Sequence, residues 1–172
     1  YDSANKLIVA MPVRKGPYDD TQEKPGITWV HSTQTGKWES RTSPQAPRGF
    51  FYSGFTYDSK VKKCIYFNGY GETWTYDAGM DEWTNMKPAK SPPPRRHAAM
   101  CFDEARGVTV LHGGVDHKSG KVSSIWAFSI HPSHNPIYRA DTWTYDAVRN
   151  EWTELARTHS PPKVSTARGP AG

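Results

Sequence analysis

The residues best equipped for chemistry sit between the apolar runs of this sequence, not within them. Arg48, Arg95 and Arg96 each stand just ahead of such a run. The stretch Val115–Arg139 adds Asp116, His117, Lys118, Lys121, Trp126, His131, His134 and Arg139. A guanidinium presents a rigid fork of donors that grips carboxylate, sulfate or phosphate two oxygens at a time. The same three early arginines would serve equally to pack against backbone carbonyls or a neighbouring sheet. His131-Pro-Ser-His134 and His117 have the residue type for a metal, but no Cys or carboxylate lies at ligand spacing, and Pro132 and Pro136 mark a loop. No metal site and no cofactor are therefore expected. Ser, His and Asp are numerous, yet no Gly-rich phosphate loop and no nucleophile elbow occurs. The chemistry on offer is binding of an anion, with no catalytic residues assigned.

The elements that position these residues are announced by repetition. Thr73-Trp74-Thr75-Tyr76-Asp77 with Trp83 recurs as Thr142-Trp143-Thr144-Tyr145-Asp146 with Trp152, and more weakly as Thr28-Trp29 with Trp38. The two tryptophans are nine residues apart in all three copies. Trp29 and Trp74 are 45 apart, as are Tyr57-Asp58 and Phe102-Asp103, whereas Trp74 and Trp143 are 69 apart. The last unit thus carries 24 extra residues before its first tryptophan. Short strand-like runs at 6–11, 27–31, 37–41, 50–57, 63–68, 72–76, 82–86, 97–102, 108–112, 141–145 and 151–155 are separated by Gly, Pro, Asp and Ser clusters. Such spacing predicts an all-β antiparallel meander. Ser123–Ile130 alternates apolar residues and reads as a displaced strand or an added hairpin, with the rest of the insertion a lid.

Gly113-Gly114 at a strand end, Tyr76-Asp77 and Tyr145-Asp146 after another, and Trp83 and Trp152 six residues beyond those aspartates resemble the kelch repeat. The middle unit has Asn68-Gly69-Tyr70-Gly71 in place of the double glycine, and the first has Met11-Pro12 and His31-Ser32 at the corresponding places. The resemblance implies a segment of a kelch-type β-propeller with about three four-stranded antiparallel blades. Residues 1–41 would form a blade lacking its first strand and 48–86 a full blade. Residues 95–155 would form a full blade with a long insertion at 115–139, and 156–172 would lead into the next. Three blades are about half of a ring, so the chain is expected to be a fragment. Its first partners would then be the remaining blades, from the same chain or another copy. One branch resembling this pattern, like galactose oxidase, holds a copper-radical centre with a Tyr–Cys crosslink, and others act on carbohydrate. Cys64 lies near Tyr66, but both read as ordinary strand residues and take no catalytic role.

Charge completes the reading. In an antiparallel meander alternate connections share one end. The connections at 12–26, 40–49, 87–96, 115–139 and 156–169 together hold 15 Lys/Arg and 4 Asp/Glu, against 7 and 13 in the rest of the chain. A field of that polarity draws anions to one end, so the expected ligand is an acidic peptide or an acidic glycan. Nucleic acid is not the expected partner, since no recognised nucleic-acid module accompanies the basic residues. No apolar run approaches the roughly 18–20 residues of a membrane helix. Cys64 and Cys101 both fall in apolar runs and read as buried free thiols. The tryptophan-rich units favour an extracytoplasmic setting.

Overall fold

The computed structural model describes residues 1–13, 26–48, 53–116 and 139–156, with residues 11–13 and 116 described by backbone alone. Among these residues the chain is all-β and every strand pairing is antiparallel. The first sheet contains β1 (Leu7–Val13), β2 (Ile27–Ser32) and β3 (Trp38–Thr42). The second contains β4 (Gly54–Asp58), β5 (Lys63–Phe67), β6 (Thr73–Asp77) and β7 (Glu82–Asn85). Two short strands, β8 (Arg95–Arg96) and β11 (Val115–Asp116), form a separate ribbon. The third sheet contains β9 (Ala99–Asp103), β10 (Val108–His112), β12 (Thr142–Asp146) and β13 (Glu151–Leu155). Within each sheet the spatial order follows the sequence order. The Ser123–Ile130 alternation lies outside the described residues.

Repeated aspartates explain why the chain reverses where it does. The Oδ1 atoms of Asp58, Asp77 and Asp146 each accept two backbone N–H groups two and three residues on. Asp2 Oδ1 does the same for Ala4 and Asn5, and Asp103 Oδ1 accepts from Arg106. A short carboxylate that mimics a turn carbonyl is a strong local turn former. The last residue of these turns takes positive φ: Lys6, Lys62, Asp81, Gly107 and Asn150. The Asp of each described Tyr-Asp pair is therefore a hairpin device.

The three sheets stack face to face, and burial explains their different patterning. In the middle sheet, Cys64, Tyr66, Tyr76 and Trp83 face the first sheet, while Ile65 and Phe67 face the third. Both faces are covered, so Cys64-Ile65-Tyr66-Phe67 is apolar throughout instead of alternating. Val9 and Val30 close the first interface; Leu111, Trp143, Tyr145 and Trp152 close the second. Each interface uses one repeated contact. Trp83 Nε1 donates to Thr28 Oγ1 at 2.9 Å, and Trp152 Nε1 donates to Thr73 Oγ1 at 2.9 Å. The second tryptophan of a unit thus bonds the threonine that precedes the first tryptophan of the unit before. Its ring lies against the tyrosine of its own sheet, at 4.7 Å for Tyr76–Trp83 and 4.9 Å for Tyr145–Trp152. Each ring buries about 150–250 Å², so these pairs dominate the contact between sheets.

Two expectations need correction. The described sheets form an open stack and not a closed ring, so the kelch-type propeller expected from the repeats is not what they show. The tyrosines, tryptophans and aspartates perform stacking and turn formation that any pile of antiparallel hairpins demands. Cys64 is buried and free as read, but Cys101 is free and exposed. Cys101 pairs with Val110 on the outer face of the third sheet, which no other described sheet covers.

Candidate functional site

The connections that carry the basic residues meet at one end of the stack. Gly26 N donates to Pro47 O at 3.0 Å, and Tyr66 Oη donates to Arg48 O at 3.2 Å. The turn at Gly71 lies against Pro92 and Pro94. Arg95 and Arg96 pair with Asp116 and Val115 in the β8–β11 ribbon. Arg139 N donates to Gly114 O at 2.9 Å, and Gly113 N donates to Asp141 O at 3.1 Å. Arg48, Arg95, Arg96 and Arg139 therefore share this end, while the turn aspartates occupy the other. There, burial pushes the Asp58 carboxyl above its ordinary range, and the charge of Asp146 adds to the rise.

Of these four arginines Arg95 is the fully buried one. It is 1 % exposed and forms a bidentate pair with Asp141, at 2.9 Å through Nη1 and 2.7 Å through Nη2. Its remaining donors reach Gly113 O at 3.1 Å and Pro93 O at 3.0 Å. Trp143 Nε1 donates to Asp141 Oδ2 at 2.7 Å. Burial opposes ionisation of Asp141, but the hydrogen bonds from Arg95 and Trp143, with the Arg95 charge, outweigh it and hold the carboxyl at about 2. Of the two roles open to Arg95, packing against carbonyls and an internal carboxylate is the one its geometry shows. It clamps both feet of the 115–139 insertion: Gly113 on the way in and Asp141 on the way out.

Gly114 makes the junction tight. Its φ is +96°, and a Cβ there would lie 2.7 Å from Arg96 O. Side chains are strained at such a φ, so only glycine brings the strands this close. Arg96 and Arg139 consequently project from backbone segments that flank the same glycine. Both are half-buried, and Arg48 is exposed. His117, Lys118, Lys121, Trp126, His131 and His134 lie outside the described residues.

Sequence reasoning missed Asp141 and His97. Asp141 stands two residues before Trp143, as Glu72 stands before Trp74, and Glu72 Oε2 likewise accepts from the tryptophan N–H, at 3.2 Å. An acid two positions ahead of Trp74 and of Trp143, though not of Trp29, is the signal that marks it. His97 follows Arg96 at φ +56°, and burial, then the Arg96 charge, lower its imidazolium pKa. It is therefore a neutral ring beside the arginines at pH 7.

Among the described residues no group of three or more His, Cys, Asp or Glu could hold a metal ion. Cys64 and Tyr66 share a face of β5, directed into the interface with the first sheet. Burial pushes the Cys64 thiol up to about 12, which describes an inert core thiol.

No family model and no curated protein matches the chain. Among solved structures it is similar to that of YjhT, with a TM-score of 0.53 and 15% identity, over 76% of this chain and 38% of that one. The chain thus spans well under half the length of this neighbour, and the likeness is one of fold alone. The kelch resemblance falls with these findings: identity is low, no family model matches and the sheets close no ring.

Proposed function

We propose that the chain is a non-catalytic binding module whose basic end receives an acidic segment of a partner protein. One observation carries this reading. Arg48, Arg95, Arg96 and Arg139, drawn from connections that hold 15 Lys/Arg against 4 Asp/Glu in the sequence, share one end of the described stack, while the hairpin aspartates hold the other. Binding residues concentrate in loops on rigid scaffolds, and the Arg95–Asp141 clamp fixes the largest of these loops at its base. Arg96, Arg139 and Arg48 supply the guanidinium forks.

Fluorescence anisotropy with a labelled glutamate-rich peptide tests the proposal, with a sulfated oligosaccharide as the glycan control. Affinity should fall steadily as salt rises, because exposed charges are screened within about 10 Å at 0.1 M. Arg96→Glu and Arg139→Glu should each weaken peptide binding by about tenfold. No binding at low salt, or equal binding by both variants, would refute the basic end as the site. Tighter binding of the oligosaccharide than of the peptide would replace the peptide with a glycan.

A further inference from the structure

The two outermost faces of the stack are unlike each other, and each resembles one side of the interfaces already buried. On the first sheet, Ile8, His31 and Trp38 stand directly opposite one another across three strands. Ala10, Trp29 and Ser40 form the adjacent row on the same face. This face points away from the middle sheet, because Val9, Val30 and Thr28 of the alternate register are buried against it. Its large side chains are accordingly exposed: Trp38 by 54%, Ile8 by 42% and Trp29 by 39%. His31 and Trp38 rings sit 5.0 Å apart, in the register positions of Tyr76 with Trp83 and Tyr145 with Trp152. The face is therefore an aromatic stacking face on which no other described sheet is stacked.

At the far end, the outer face of the third sheet presents Cys101, Val110 and Thr144 in one row, and His112 and Thr142 in the next. Their counterparts in the middle sheet are Thr56, Ile65 and Thr75, with Phe67 and Thr73. Those residues receive Trp152 and its neighbours. A hollow of about 180 Å³, lined by Val108, Thr144 and Thr153 and, toward the turn, by Asp146, Arg149 and Glu151, opens on this outer face. Both internal interfaces join an aromatic face to a face of threonine and aliphatic residues through the Trp-to-Thr bond. Among the described residues, the two outer faces are the uncovered halves of that same interface.

We propose that a second copy of this chain docks head to tail, its Trp38 face on the Thr142–Thr144 face of the first, with Trp38 Nε1 donating to Thr142 Oγ1. Repetition of the contact already used twice argues for this occupant. The joined surfaces are different, so the contact is heterologous and each copy keeps one free end unless the assembly closes. Thr142 Oγ1 lies 2.9 Å from His112 Nδ1 and can accept the indole proton while donating to that nitrogen. An exposed tryptophan in such a patch is the residue type that dominates interface energetics.

Sedimentation velocity over a concentration series, with Cys101 alkylation followed by mass spectrometry, tests the proposal on the chain itself. Mass should rise with concentration, and Cys101 should react more slowly as it does. Trp38→Arg and Thr144→Arg should each weaken association by about tenfold or more. Circular dichroism checks their fold, and Val110→Lys replaces Thr144→Arg if that variant unfolds. Mixing the two variants should restore one intact interface and give a one-to-one dimer that grows no further. A wild-type monomer with constant Cys101 reactivity would overturn the proposal. So would association indifferent to Trp38→Arg, or a mixture that stays monomeric because no head-to-tail contact forms.

Discussion

Replacing Arg95 by Met removes the donor set that keeps a buried carboxylate ionised. Four hydrogen bonds are lost, two of them to Asp141. Asp141 would then retain only the Trp143 N–H from this network, in a site where it is 5 % exposed. Removing one partner of a buried ion pair costs about 3–5 kcal/mol, a large share of the roughly 5–15 kcal/mol that stabilises a domain. The pH dependence sharpens the test. The wild-type carboxyl is held at about 2, below the ordinary value of 3.8. That depression contributes about 2 kcal/mol of stability above pH ~4, lost as pH falls towards ~2. Without Arg95, burial raises the carboxyl, so mild acid protonates it and relieves the penalty. Urea unfolding of wild type and Arg95→Met should therefore show a gap of about 3–5 kcal/mol at pH ~7 that narrows by pH ~4. Adding Asp141→Asn to Arg95→Met should cost far less than the sum of the single changes. A gap below about 1 kcal/mol at neutral pH, or one that ignores pH, would refute the clamp.

Three further outcomes follow from the same structure. A double-mutant cycle on Trp152→Phe and Thr73→Val should give a coupling of about 1 kcal/mol in urea unfolding, the worth of one buried hydrogen bond. Iodoacetamide at pH ~8 should modify Cys101 in the native chain and Cys64 only on unfolding, read by peptide mass spectrometry, because burial holds the Cys64 thiol near 12. Gly114→Ala should cost about 1–3 kcal/mol from its positive φ, seen in urea unfolding. It should also weaken acidic-peptide binding, since the added methyl meets Arg96 O and separates β8 from β11.

Much of the fold was legible because its determinants are local. Alternating apolar runs located the strands, and Tyr-Asp with its glycines and lysines located the turns, since an Asx turn needs only residues within four positions. The Trp-to-Thr bonds could not be read, because they join residues 55 and 79 positions apart. The kelch reading went too far for the same reason. Aromatic pairs and turn aspartates record that sheets stack, and they carry no information on how many sheets follow. At the candidate site, the sharing of one end by alternate connections was a topological consequence and could be anticipated. The inward turn of Arg95 could not, because its partner Asp141 lies 46 residues away at the far foot of an insertion. Cys101 was misjudged because the alternation of a strand says which residues share a face, not which face is covered.

The basic end is tested most directly by locating the ligand. Hydrogen–deuterium exchange of the full chain, with and without a saturating glutamate-rich peptide, compares the two ends of the stack in one experiment. Binding at the basic end predicts slowed exchange at residues 94–97, 113–116 and 139–141, with no change in the turns at 59–62, 104–107 and 147–150. Protection of those turns, or none at the Arg96–Gly114–Arg139 junction, would contradict it.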